Sequence, residues 1–270
     1  MIARPGRLVL LGRSLSHSLS PRFQNAALAH EQIGGGLHYE VLDIPLSALD
    51  STLESLSSVN GAGNVTVPYK ERVFERCDRL TPLARRVGAV NTFWFERGEL
   101  VGDNTDVGGV QHAVVQLMGE TPRASIIGLL GAGGAAAAVL AAAEGWPDCK
   151  VLVVNRTPER ADVLSARFSA LAERSDADRL AREANLVINA TSVGLRDDDE
   201  LPISPDRLRK DASLLDLVYR PGETAWVRTA RESGRRAADG LTMLVEQGAL
   251  AFERWFGVPP NREVMWAAVR

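Results

Sequence analysis

The stretch "ASIIGLLGAGGAAAAVLAAAEG", residues 124–145, passes from a continuous apolar run through a glycine turn into a strong helix former. Its centre, "GAGGAA" (131–136), matches the pattern Gly-x-Gly-x-x-Ala. In that pattern Gly131 permits the tight turn, Gly133 lets the backbone approach a pyrophosphate, and Ala136 allows close packing of the helix. The first amides of the helix then face the phosphate charge. Such a turn can also be a plain packing site. Here the apolar strand before it, the helix after it and the second apolar strand in "KVLVVNRT" (150–157) favour a dinucleotide site, spanning Gly131, Ala132, Gly133, Gly134 and Ala135.

Outward from this stretch the same alternation holds. "NLVINATSVG" (185–194) and "ASLLDLVY" (212–219) continue the series of short apolar strands ending in small or polar residues. Towards the N-terminus, "RLVLLG" (7–12), "LHYEVLDI" (37–44) and "AGNVTV" (62–67) read as strands. Between them lie a helix over "SPRFQNAALAHEQ" (20–32), with Ser20 as its N-cap, and another from Ser47. Repeated strand and helix predict an α/β protein with a mostly parallel sheet, and 270 residues suffice for two domains. Ligands of such sheets lie outside the carboxyl ends of the strands.

Composition narrows the partners. With 31 Lys and Arg against 34 Asp and Glu, the net charge of −3 leaves no basic footprint for nucleic acid or an anionic membrane surface. Cys77 and Cys149 have no spacing for a disulfide framework or a zinc site. His17, His30, His38 and His112 have no metal-ligand spacing either, so no metal is expected. The apolar run inside "MIARPGRLVLLGRS" (1–14) and the run Ala135–Ala143 fall well short of the roughly 20 residues of a membrane span. A cytoplasmic protein is expected.

The residue that sorts NAD from NADP lies at the end of the second strand. Asn155, Arg156 and Thr157 stand there, with Arg160 one turn later and no carboxylate to hold a bare ribose diol. Two guanidinium groups suit a 2′-phosphate. An arginine near a helix N-terminus is disfavoured by the dipole, which weighs against a merely solvated face.

The first part carries the candidate chemistry. Nicotinamide-linked oxidation or reduction of an alcohol needs a group that exchanges a proton with the oxygen. Lys70, behind "NVTVP", can do so if it faces a cleft, although "VPYKER" alone fits a surface lysine at a strand end. "GAVNTFW" (88–94) and "GDNTDVGG" (102–109) bring Asn91, Asn104, Thr105 and Asp106 just ahead of the second sheet. Asp106 could orient Lys70, or simply belong to a turn and helix cap. In "GRSLSHSLSP" (12–21), the serine hydroxyls could hold a small carboxylate or only start a helix.

The set "SHSLSP", "NVTVPYK", "GAVNT", "GDNTD", "GAGGAA", "NRTPER", "NATSVG", "DLVY" and "DGLTMLVEQGALAF" resembles shikimate dehydrogenase, in order, from about Leu10 to Phe256. The resemblance implies a two-domain α/β enzyme that reduces 3-dehydroshikimate to shikimate with NADPH. One domain, 1–106 plus 240–270, would bind the substrate, and a Rossmann-type domain, 107–239, would bind NADP. It implies Lys70 as the proton-transfer lysine and Asp106 as its partner. Ser18, Ser20 and Tyr219 would bind the substrate carboxylate, with Thr66, Asn91, Asp106 and Gln247 as further substrate contacts. Leu217 and Gly240 would line the nicotinamide pocket, and Asn155 to Arg160 would clamp the adenosine phosphate. Departures from the family pattern are Gln24 for a common His, Ala137 for a common Arg and Leu217 for a common Met. A quinate or quinate/shikimate dehydrogenase, and a non-catalytic sensor, are rivals on the same fold. The absence of an acid at 155–156 opposes the first, and the presence of both Lys70 and Asp106 opposes the second. The family implies a monomer or a homodimer, with a cleft that hinges near Asp106 and Gly240.

Overall fold

The computed structural model describes residues 4–33, 35–196 and 198–270. Residues 1–3, which open the run weighed as a leader, lie outside them. The chain divides into two compact units, Met1–Asp106 with Leu244–Arg270, and Val107–Met243.

In the first unit the elements follow as β1 (Leu8–Gly12), α1 (Ser20–His30), β2 (Tyr39–Asp43), α2 (Leu49–Ser58), β3 (Ala62–Val65), α3 (Lys70–Arg76), β4 (Arg79–Leu80), α4 (Pro82–Val87), β5 (Thr92–Glu96) and β6 (Glu99–Asp103). They form a six-stranded sheet in the order β2-β1-β3-β5-β6-β4. β1 pairs in parallel with β2 and β3, and β4 with β6, whereas β5 pairs antiparallel with both β3 and β6. The antiparallel pair follows from a two-residue connection in which Arg97 and Gly98 both take positive φ, at 56° and 83°. Those values suit the mirror-image turn that matches strand twist.

Strand β1 shows why this sheet is covered on both faces. Leu8 and Leu10 join a cluster with Phe23, Tyr39, Phe252 and Trp255, while Val9 and Leu11 join another with Leu53, Leu56, Val73 and Phe93. Alternate residues point to opposite faces, so an uninterrupted apolar strand implies two buried faces.

The second unit runs through α5 (Asp106–Met118), β7 (Ile126–Leu130), α6 (Gly134–Ala143), β8 (Lys150–Val154), α7 (Pro158–Arg167), β9 (Ala172–Arg174), α8 (Ala177–Glu183), β10 (Leu186–Asn189), β11 (Ser213–Asp216), α9 (Ala225–Glu232) and β12 (Ala237–Ala238). Its six strands are ordered β12-β11-β10-β7-β8-β9, and every pairing is parallel. Read from β9, this is the doubly wound order, with its reversal between β7 and β10. The chain then forms α10 (Leu241–Phe256) and α11 (Arg262–Ala267). Trp255 of α10 donates from Nε1 to the carbonyl of Phe93 at 3.2 Å, and Gln24 Nε2 of α1 donates to the carbonyl of Gly248 at 2.9 Å. These contacts hold α10 in the first unit. Gln24, one of the departures from the family pattern, therefore ties two helices together.

Two local expectations change. Ser20 is the first residue of α1 instead of its cap. Leu19 is the N-cap, no side chain caps the helix, and Pro21 follows Ser20 inside the first turn. The strand ahead of Lys70 ends at Val65, and Lys70 itself opens α3. Between them Tyr69 N donates to Thr66 O at 2.9 Å, closing a turn around Pro68, which has no N–H to extend the ladder. No helix of the described residues is long and apolar enough to cross a membrane.

Candidate active site

Lys70 is placed by its own backbone and by Asp106. Its carbonyl accepts from Val90 N at 3.0 Å, which ties the start of α3 to the 88–91 loop. Its Nζ donates to Asp106 Oδ2 at 2.6 Å, with 18% of the lysine side chain and 4% of the aspartate side chain exposed. Such shielding leaves the ammonium reachable while water competes little for the carboxylate. A pair of this kind is sensitive to loss of one partner, because the other charge stays buried and uncompensated.

Asp106 is held in turn. Its Oδ1 accepts from Asn91 Nδ2 at 2.8 Å. The same amide nitrogen lies 3.0 Å from both Thr105 Oγ1 and Gln247 Oε1, so its two hydrogens serve three acceptors. Asn91 Oδ1 accepts from Thr105 N at 2.7 Å. Gln247 Nε2 donates to Leu244 O at 2.8 Å, which fixes its amide so that Oε1 faces Asn91. Asn91, Asp106 and Gln247 are all buried. Residues 156 positions apart are thereby joined in one polar cluster.

The cluster extends through residues that the sequence alone left without a role. Thr92 Oγ1 is 3.0 Å from Thr105 Oγ1, and Asn64 Nδ2 donates to Thr92 Oγ1 at 3.0 Å. Tyr39 OH donates to Asn64 Oδ1 at 2.8 Å. Buried polar groups that satisfy one another rigidify their surroundings, and here they run from Tyr39 to Lys70. The signal available in the sequence was a polar residue inside an otherwise apolar strand, at Asn64 and at Thr92.

Ser18, Ser20 and Thr66 lie past the carboxyl ends of β1 and β3, which are neighbours in the sheet. Ser18 N donates to Leu15 O at 3.0 Å, and Ser18 Oγ accepts from Ser20 N at 3.3 Å. Leu15 N donates to Asp43 Oδ2 at 3.0 Å, so the serine loop is anchored to the end of β2. Thr66 N donates to Leu11 O at 2.9 Å.

In the second unit Gly131 has φ +112°, and a Cβ there would fall 2.9 Å from Ala190 O, so only glycine fits the turn. Ala132 completes this turn between β7 and α6, with Gly134 and Ala135 opening the helix. A Cβ built at Gly133 meets nothing within 4 Å, and no side chain caps α6. The first amides of α6 are therefore open to an anion. Arg156 and Arg160 are both exposed, and neither forms an ion pair among the described residues. Asn155 Nδ2 donates to Thr157 O at 2.8 Å, shaping the loop that carries Arg156. This donor set suits a dinucleotide with an extra phosphate on its adenosine half. Ala137 is buried on α6, away from any such contact with solvent.

Leu217 and Tyr219 follow β11 in the second unit, and Gly240 follows β12. Gly240 N donates to Val218 O at 3.0 Å, and a Cβ on Gly240 would fall 2.2 Å from Leu217 O. The glycine is required by that close approach. Among the described residues no group of three or more His, Cys, Asp or Glu could hold a metal ion.

Residues 10–93 match the family model of the shikimate dehydrogenase substrate binding domain, and residues 240–270 that of the shikimate 5′-dehydrogenase C-terminal domain. A shikimate dehydrogenase (NADP(+)) from Thermus thermophilus is 40% identical over 264 residues, 98% of this chain and 97% of the relative. A crystal structure of shikimate dehydrogenase from Aquifex aeolicus has a TM-score of 0.91 at 34% identity, covering 100% of this chain and 99% of that one. A Thermus thermophilus shikimate 5-dehydrogenase solved in complex with NADP(H) and shikimate has a TM-score of 0.86 at 38% identity, with 97% of each chain covered.

Proposed function

Because the chain belongs to the shikimate dehydrogenase family, we propose that Lys70 and Asp106 are the proton-transfer pair of its reaction. That reaction is the NADPH-dependent reversible reduction of 3-dehydroshikimate to shikimate, in the pathway to the aromatic amino acids. The observation that carries the residue assignment is the 2.6 Å bond from Lys70 Nζ to Asp106 Oδ2 inside a saturated buried network. The cofactor supplies or accepts the hydride.

In the reductive direction ammonium Lys70 donates its proton to the oxygen of the substrate carbonyl. In the oxidative direction the neutral amine takes the hydroxyl proton back. Asp106, fixed by Asn91, keeps the amine oriented. Ser18 and Ser20 hold the substrate carboxylate, while Thr66, Asn91 and Gln247 contact the rest of the substrate. The substrate domain is 1–106 plus 240–270. In the NADP domain, 107–239, the turn Gly131–Ala135 takes the pyrophosphate and Arg156 and Arg160 take the 2′-phosphate; Leu217, with Gly240 just past the end of that domain, lines the nicotinamide pocket. We place the protein in the cytoplasm, as a monomer or a homodimer.

Purified protein should reduce NADP+ with shikimate, followed by the absorbance of the reduced nicotinamide. Faster turnover with quinate and NAD+ would point to a quinate dehydrogenase. No turnover with any pair would point to a sensor.

The 2′-phosphate assignment gives a sharper test. Charge-assisted hydrogen bonds from Arg156 should contribute roughly 1.5–3 kcal/mol, or about 10- to 100-fold in affinity. Arg156→Ala should raise the KM for NADP+ by that factor and leave NAD+ little changed, and equal weakening of both would refute the clamp. The serines predict a different split. A carboxylate remote from the reacting carbon is bound alike in ground and transition states, so Ser18→Ala and Ser20→Ala should raise the KM for shikimate with little change in kcat. Ser20 makes no cap bond, so its loss should spare the melting temperature. A fall in kcat at unchanged KM would contradict the carboxylate role.

A further inference from the structure

One buried acid of the second unit has no part in the chemistry above. Asp216 ends β11 and is fully buried, and no cation pairs with it among the described residues. Its Oδ1 accepts from Asn189 Nδ2 at 2.8 Å and from the backbone N of Val218 at 3.1 Å. Its Oδ2 accepts from Thr224 Oγ1 at 2.8 Å, just ahead of α9. Burial pushes the carboxyl up to about 6 against the pull of these bonds. An isolated buried carboxylate is costly, so an apolar residue would suit the strand end better if packing were its only task.

Each bond leads to a segment at the carboxyl edge of the sheet. Asn189 ends β10. Its Nδ2 also donates to Val193 O at 3.0 Å, and its Oδ1 accepts from Thr191 N at 3.1 Å and from Thr191 Oγ1 at 2.7 Å. Thr191 Oγ1 accepts from Val193 N at 3.1 Å, so the loop 190–194 is closed on itself and on Asp216. That loop lies against the glycine turn, since a Cβ at Gly131 would be 3.2 Å from Thr191 Cγ2. The bond to Val218 fixes the Leu217–Tyr219 turn, which in turn receives Gly240.

Strand order decides which half of a dinucleotide these segments serve. The glycine turn follows β7, and the arginine loop follows β8 on one side of it. β10 and β11 lie on the other side of β7, across the point where strand order reverses. A dinucleotide whose pyrophosphate rests on the glycine turn and whose adenosine half reaches Arg156 must carry its nicotinamide half over β10 and β11.

We propose that Asp216 is a positioning residue that holds the Leu217–Tyr219 turn and the 190–194 loop in place for the nicotinamide half of NADP. This rests on the cofactor reading above. It predicts a fault confined to one half of the ligand. Binding by titration calorimetry should be measured with NADP+ and with adenosine 2′,5′-bisphosphate, which carries the adenosine half alone. Asp216→Ala should weaken NADP+ about 10-fold, the scale of losing hydrogen bonds to a charged group, with the bisphosphate within about twofold. Asp216→Asn keeps an acceptor for Asn189 and Val218 but places an amide against Thr224, so it should fall between Ala and the native residue. If the Ala variant does not fold, the Asn variant carries the test, with NADP+ alone weakened by about threefold. Equal weakening of both ligands would assign Asp216 to scaffold stability only, and unchanged NADP+ binding would equally overturn the proposal. Failure of the native protein to bind either ligand would instead overturn the cofactor reading.

Discussion

Lys70→Met is expected to lower kcat for shikimate oxidation by roughly 10²- to 10⁴-fold, the scale for losing a positioned acid or base, with a smaller change in KM. Methionine keeps the length and the apolar stem of the side chain but has no proton to exchange. The ion pair also disappears, leaving Asp106 with its Asn91 bond and an empty side at Oδ2. Steady-state kinetics with shikimate and NADP+ check this. A variant with near-native kcat would remove Lys70 from the chemistry.

Asp106→Asn should give the second-largest effect, a fall in kcat of about 10²-fold. The amide can accept from Asn91 or face Lys70, but whichever way it turns it offers a donor where the native carboxylate offers two acceptors. Lys70 then loses the carboxylate that anchors its ammonium group. Asp106 also lies within the Asn91–Gln247 cluster, so the KM for shikimate should rise as well. Asn91→Asp would test the same wiring from the other side, by placing a second carboxylate beside the first. If Asp106→Asn altered only KM, Asp106 would be a substrate contact with no hold on Lys70.

The dinucleotide unit was legible in the sequence because a parallel sheet covered on both faces is built from unbroken apolar strands, and β7 and β8 are such strands. The glycine turn between strand and helix then carried its own meaning. The β5–β6 hairpin is harder to read, because Glu96 and Glu99 on either side of the Arg97–Gly98 turn break the apolar runs that would announce it. Val65 and Val67, both β-branched, extend the apparent strand towards Lys70, whereas Pro68 and the turn from Thr66 to Tyr69 release the chain into α3. The meeting of Asn91 with Gln247 depends on α10 packing through Trp255 and Gly248, which no local pattern encodes. Asp216 was hidden for the opposite reason. Within "ASLLDLVY" a single acid is one polar letter in an apolar strand, and only the positions of Asn189, Val218 and Thr224 show what it holds.

A single-turnover experiment tests the proton-transfer role most directly, because it separates the chemical step from binding and product release. Enzyme in excess, loaded with NADP+, is mixed rapidly with shikimate, and formation of NADPH is followed for the native protein and for Lys70→Met. The account predicts that the first turnover slows by at least about 100-fold in the variant, while the dissociation constants for shikimate and NADP+ stay within a few-fold of native. Equal first-turnover rates would contradict it.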